Sequence, residues 1–225
     1  LLCLESICKF TDEEDYELIF IDTIPKGAET FKFEDAYNVF QLNKRPDRKW
    51  IKQYCKSEEN PGQYGSYNKG AKLAKGDYFC FLQNDVIVTE GWLKNLKYYL
   101  DKGIANIVWP DQFPKTREYI KKSYELEPEK ARGSREAGCV MMTRKIFEDS
   151  GGWNEKIRMF YGEKELWERL SKYGGKGFFT SKSQILHVNS ATYWERIKLE
   201  PEEHKRDVAI SAEELTRVKN EKTST

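Results

Sequence analysis

Asp85 stands almost directly after the apolar run Y-F-C-F-L at Tyr78–Leu82. A carboxylate at the end of a buried strand is well placed to share a hard divalent cation with a phosphate-bearing ligand. An aspartate that merely opens a turn would occupy the same spot. Asp22 closes a second apolar run, Y-E-L-I-F-I-D at Tyr16–Asp22, where it is either a strand-end turn residue or a hydrogen-bond acceptor. Asn60-Pro61-Gly62 is a turn signal, and its glycine would also let the backbone approach a ligand closely. Glu165 and Arg169 are four residues apart, the spacing of a helix-stabilising ion pair. Between Lys44 and Lys56 basic residues interleave with Trp50 and Tyr54, which makes either an anion contact or a solvated face. The five cysteines, Cys3, Cys8, Cys55, Cys80 and Cys139, contain no C-x-x-C pair, so neither a zinc site nor a redox motif is expected. Reduced thiols, and with them a cytoplasmic location, are the expectation.

These groups need elements to hold them. Apolar β-rich runs predict strands over 16–22, 37–42, 78–82, 104–109 and 138–143, with short strands at Phe178-Phe179 and over 184–188. Helical spacing and capping residues predict helices over 1–10, 63–75, 89–100, 144–150 and 163–173, the last closed by Gly174-Gly175. Strands alternating with helices argue for an α/β fold with a mostly parallel central sheet flanked by helices, in which ligands gather at the carboxyl ends of the strands. Residues 110–137 carry prolines, mixed charge and weak periodicity, and so read as a long functional excursion such as a lid. The last 25 or so residues form a charged tail with at most one helix.

Two blocks carry a resemblance. The stretch N-P-G-Q-Y-G-S-Y-N-K-G-x-x-x-A-K-G-D-Y from Asn60 to Tyr78, followed by F-L-Q-N-D and by G-W-L at Gly91–Leu93, resembles the donor-binding half of family-2 glycosyltransferases, enzymes of the Rossmann-like GT-A fold. The second block is G-C-V-M-M-T-R-K-I-F at 138–147, G-G-W-N-E at 151–155 and Y-G-E-K-E-L-W-E-R-L at 161–170. It looks like the acceptor half of the same family. The resemblance implies a donor half over about 1–109, an acceptor half over about 110–195 and a tail over 196–225. It implies Glu163 as the general base in place of the usual aspartate, and Glu165 as a second acid near the acceptor. Asp22, Asn60, Gly62, Asn68, Asn84 and Asp85 would meet the nucleotide and donor. I-L-H-V-N-S-A-T at 185–192 is similar to the strand whose histidine completes the metal site, so His187 joins Asp85 as a ligand for Mn²⁺ or Mg²⁺. Gln83 takes the place of the first acid of the family's D-x-D. Trp109 and Trp194, beside loops, could stack on a sugar ring, whereas Trp92, Trp153 and Trp167 read as core. His204, in the polar tail, is expected at the surface. The family's first strand is missing before Leu1, so either that strand lies outside these residues or the nucleotide pocket is incomplete.

Composition narrows the rest. The 225 residues suit one large domain. Lys+Arg at 38 against Asp+Glu at 37 give a net charge of +1, which argues against nucleic acid as a partner. No stretch approaches the roughly 20 apolar residues of a membrane span. The function expected is metal-dependent, inverting transfer of a sugar from a nucleoside-diphosphate sugar, UDP favoured, to a glycan, lipid-linked or protein hydroxyl. Two alternatives stand beside it: a glycan- or nucleotide-binding module without turnover, and a sugar nucleotidyltransferase, for which no Gly-rich, Arg-containing phosphate loop is found.

Overall fold

The computed structural model describes residues 2–11, 16–23, 53–57, 60–114, 138–187, 197–198 and 201–221. The strand expected over 37–42, most of the cationic 44–56 segment, most of the 110–137 excursion and Trp194 lie outside the described residues.

The helices are α1 (Leu2–Phe10), α2 (Gly62–Leu73), α3 (Trp92–Asp101), α4 (Arg144–Asp149), α5 (Gly162–Lys172) and α6 (Pro201–Asn220). The strands are β1 (Ile19–Thr23), β2 (Gln53–Ser57), β3 (Tyr78–Leu82), β4 (Val86–Val88), β5 (Ile107–Pro114), β6 (Cys139–Thr143) and β7 (Gly177–His187). β1 and β2 pair in parallel as a separate ribbon, with Asp22 opposite Lys56. The central sheet has the order β3-β6-β5-β7-β4.

This sheet is mixed, which corrects the expectation of a mostly parallel one. Only β5 and β7 run parallel, while β3/β6, β5/β6 and β4/β7 are antiparallel. The chain leaves β5 and re-enters at β6 on the same end of the sheet, so β6 must run back between β3 and β5. β4 follows β3 through the Gln83–Asp85 turn but is placed at the far edge, beside β7. β7 is one strand where the sequence suggests two. Its register against β5 jumps from Thr180 opposite Pro110 to Gln184 opposite Asp111, so residues 181–183 bulge out where Pro110 brings no N–H to the ladder.

Alternation along the strands divides the core in two. Phe79, Phe81, Ile107, Trp109, Val140 and Met142 face the helices α2, α4 and α5, meeting Tyr64, Phe147, Leu166 and Leu170. Val86, Val88, Val108, Cys139, Met141 and Ile185 face α1 and α3, meeting Leu4, Ile7, Trp92 and Leu96. The strand register is thereby fixed, because a one-residue slip would exchange the two faces. The helices start and stop for local reasons. Thr143 caps α4 by accepting from the Ile146 N–H at 3.3 Å. Gly91 enters α3 at φ 73°, a conformation that glycine adopts without a Cβ clash. The cysteines are free thiols, and burial pushes that of Cys3 up to about 12. Among the described residues no helix is long and apolar enough to cross a membrane.

Candidate active site

The register of the sheet decides which side chains meet at its rim. Val86 lies opposite His187 and Pro114 opposite the same residue, so Asp85, Gln112 and His187 converge. Leu82 lies opposite Cys139, and the next step along each strand joins the Gln83 N–H to the Gly138 carbonyl at 2.9 Å. His187 Nε2 is 3.0 Å from Gln83 Oε1 and 3.2 Å from Asp85 Oδ1. The imidazole is nearly buried, at 9% exposure, and the Asp85 carboxylate is 24% exposed. Gly138 is required here. A Cβ on it would stand 2.8 Å from both Gln112 Oε1 and His187 Nδ1, so any other residue would push two members of the cluster aside. Among the described residues no three His, Cys, Asp or Glu side chains converge into a metal-binding group. What Asp85 and His187 offer is a carboxylate and an imidazole side by side, a pair that suits Mn²⁺ or Mg²⁺ when substrate oxygens and water complete the shell.

Glu163 lies in the first turn of α5, where the helix dipole favours a negative charge. Tyr64 holds this end of the helix. Its hydroxyl accepts the Gly162 N–H at 3.0 Å and is hydrogen-bonded to the Glu163 carboxylate. Burial, then the Glu163 charge and this hydrogen bond, hold the Tyr64 phenol well above its ordinary range. Tyr67, one helical turn on, is also raised, by burial first, next by the charge of Glu163, and more weakly by that of Asp85. It therefore sits within electrostatic reach of both the helix-start carboxylate and the strand-end one. Tyr64 and Tyr67 were not singled out by the sequence reading. Their three-residue spacing on one helix face was the signal available. Gln112 carried none, because β5 continues through Pro110 where the strand was expected to end.

Several expected site residues turn out to hold the scaffold. Asn68 donates from its amide to Trp153 O and to Glu155 Oε1, each at 2.8 Å, and accepts the Trp153 N–H at 2.9 Å. Both the amide group and the carbonyl are engaged by the G-G-W-N-E turn. Asn60 Oδ1 accepts the Gly62 N–H at 2.9 Å, and its carbonyl accepts from Arg158 at 2.6 Å. Gly62, at φ 78°, leaves room for Arg158 itself, whose carbonyl oxygen would lie 2.4 Å from a Cβ. The close approach is to protein backbone, so neither residue is placed as a nucleotide contact. Glu165 is 0% exposed and grips Arg169 in a two-point pair, both contacts at 2.8 Å. Arg169 in turn donates to the carbonyls of Ser150 and Gly152. Glu165 thus fastens α5, through Arg169, to the turn after α4.

Trp109 packs within the core. It is 4% exposed, stacks on Phe179 at 4.8 Å and meets Trp167 edge-on. It lines a cleft of about 160 Å³ with Ile107, Ser171, Gly175 and Gly177 near the start of β5. Five residues along β5 separate it from Pro114, the partner of His187, or about 16 Å at strand spacing. Trp92 and Trp153 lie in the core as expected. Asn84 is exposed in the turn after β3, and Asp22 is half-buried within β1. His204 packs against the rings of Phe160 and Tyr161, at 4.9 and 5.9 Å, where a surface position was expected.

These elements make an α/β domain, a mixed sheet between two helical layers, with a carboxylate and an imidazole at the strand ends and a further carboxylate at the start of α5. In comparison with known proteins, residues 1–194 match the model of Glycosyl transferase family 2, and the chain belongs to that family. The fold is GT-A. The mannosyltransferase PcManGT of Pyrobaculum calidifontis, solved with GDP-Man and Mn²⁺, is 15% identical at a TM-score of 0.62, covering 87% of this chain and 55% of that one. GalNAc-T7, solved with UDP, GalNAc and Mn²⁺, is 16% identical at 0.61, covering 82% and 40%. Residues 1–349 of S. aureus TarS are 13% identical at 0.61, covering 89% and 60%. The chain thus spans only 40% to 60% of the length of these structures. No curated protein matches it by sequence.

Proposed function

We propose that this domain transfers a sugar from a nucleoside-diphosphate sugar, UDP favoured, to an acceptor hydroxyl with inversion at the anomeric carbon. The observation that carries the reading is the Asp85–His187 pair at the strand ends, together with Glu163 in the first turn of α5. In this reaction the acceptor oxygen forms a bond to the anomeric carbon as the bond from that carbon to the diphosphate oxygen breaks. Glu163 takes the acceptor proton. Asp85 and His187 would hold Mn²⁺ or Mg²⁺, which neutralises charge on the departing diphosphate. Two of the similar structures contain Mn²⁺ with a nucleotide or nucleotide sugar, which supports both the donor class and the cation. Gly138 and Gln83 keep the imidazole in place, and Tyr64 fixes the helix end from which Glu163 projects.

A second reading, a nucleotide-binding module without turnover, is favoured by Gln83 standing where the family has its first acid. A thermal-shift screen of UDP, GDP, CDP and dTDP with and without Mn²⁺ tests the proposal, because a ligand bound only by the folded chain raises its melting temperature. A shift with one nucleotide that requires Mn²⁺ supports it and names the donor class. No shift from any of them contradicts it. A shift without release of nucleotide from any sugar donor supports the second reading.

A further inference from the structure

The segment leading into α5 is held from outside the family-2 region. Tyr161 is the one non-glycine residue at positive φ (66°) among those described, a backbone conformation that is unfavourable for an L side chain and persists only where the surroundings enforce it. The enforcing contacts come from α6, which lies beyond residue 194, where the family match ends. Asp207 is 0% exposed. Its Oδ2 accepts the N–H groups of Met159 at 2.7 Å and Phe160 at 3.2 Å, and its Oδ1 is 3.0 Å from Arg206. Ser211 donates to the Tyr161 carbonyl at 2.9 Å. Glu214 takes the ammonium of Lys156 at 2.6 Å. The buried residues of α6 are Asp207, Ser211, Glu214 and Val218, a single stripe at helical spacing. A helix docked only to hide apolar surface would bury an apolar stripe; three of these four residues are polar, and each binds the segment that precedes α5.

We infer that α6 is a positioning element for the reaction, and that Asp207 and Ser211 set the placement of Glu163 by fixing the backbone of residues 159–161. The inference rests on Glu163 being the base. From the opposite side Tyr64 fixes the next N–H, that of Gly162, so Glu163 leaves a backbone clamped by α2 and α6. Neither Asp207 nor Ser211 touches substrate. Their effect is therefore on turnover and not on donor binding, since misplacing a reacting group by about 1 Å can cost on the order of a hundredfold in rate.

The test uses the full chain carrying Asp207→Ala, Asp207→Asn or Ser211→Ala, with Glu213→Ala on the exposed side of α6 as a control. Three quantities are read: the thermal shift given by UDP with Mn²⁺, hydrogen exchange over residues 157–165, and release of nucleoside diphosphate from UDP-GalNAc and GDP-mannose with water as acceptor. For Asp207→Ala the expected result is an unchanged UDP shift, exchange at least tenfold faster at Met159 and Phe160, and kcat lowered by roughly tenfold or more with KM for the donor within twofold. Asp207→Asn, which keeps one carbonyl acceptor, falls between, and Glu213→Ala matches the wild type. Unchanged exchange in Asp207→Ala overturns the inference, as does faster exchange with unchanged kcat. Glu163→Gln measured in parallel separates the two readings. Full turnover in that variant overturns the base assignment; full turnover in Asp207→Ala beside an inactive Glu163→Gln overturns the positioning role alone.

Discussion

At the scale of single residues the domain separates carboxylates by what surrounds them. Asp85 is partly exposed beside an imidazole, and Asp85→Ala is expected to abolish the Mn²⁺-dependent part of the thermal shift given by UDP while leaving the apo melting temperature nearly unchanged. Glu165, two residues from the proposed base, is sealed against Arg169. Glu165→Ala leaves the partly buried Arg169 guanidinium with carbonyl acceptors but no carboxylate, a loss to be read as a lower midpoint in urea. The sequence placed both acids on one helix, since the E-K-E-L-W-E-R-L pattern is helical. Its spacing offered Glu165–Arg169 as an ion pair, but that this pair is sealed against the turn after α4 depends on how α5 is rotated against its neighbours. Asn68 shows the same limit. Its place in a family motif was legible, but its saturation by Trp153 and Glu155 is a property of two segments 85 residues apart.

Among the elements, those whose pattern is local were readable: β3 and β6 as short apolar runs, α2, α4 and α5 by spacing and caps. β4 was not foreseen, because Val86–Val88 offers three positions, too few to show a period. The bulge that joins the two halves of β7 depends on pairing with β5 and has no sequence signal of its own. Strand direction is likewise set by where connections enter and leave the sheet. α6 adds a pH dependence. The Lys156 hydrogen bond, then that of Arg217, hold the Glu214 carboxyl below its ordinary range. A lowered folded value means stability that is present above the unfolded glutamate value of about 4.3 and is lost as pH falls through the lower folded value. Acidification below about pH 4.3 is therefore expected to loosen α6 from the 156–161 segment, seen as faster hydrogen exchange there, and Glu214→Gln should remove most of that acid sensitivity.

Over the whole molecule one sheet is shared by two cores, so damage on the face away from Glu163 is felt everywhere. Leu96, 0% exposed on the α3 side, is far from the proposed base in the fold. Leu96→Ala is expected to cost about 2–5 kcal/mol and to lower fluorescence and circular-dichroism midpoints together, as one cooperative unit requires. The α/β layering and the family were legible from the two motif blocks. The convergence of Gln83, Asp85, Gln112, Gly138 and His187 was legible only in part, because it is produced by register among β3, β4, β5, β6 and β7. The central claim is that Glu163 removes the acceptor proton while the Asp85 end of the site holds the donor. The most direct test is the rate of nucleoside-diphosphate release by Glu163→Gln, measured beside its UDP and Mn²⁺ thermal shift. With Glu163 as the base, kcat falls at least about a hundredfold below wild type with the shift retained; near wild-type turnover would mean that another group takes the proton.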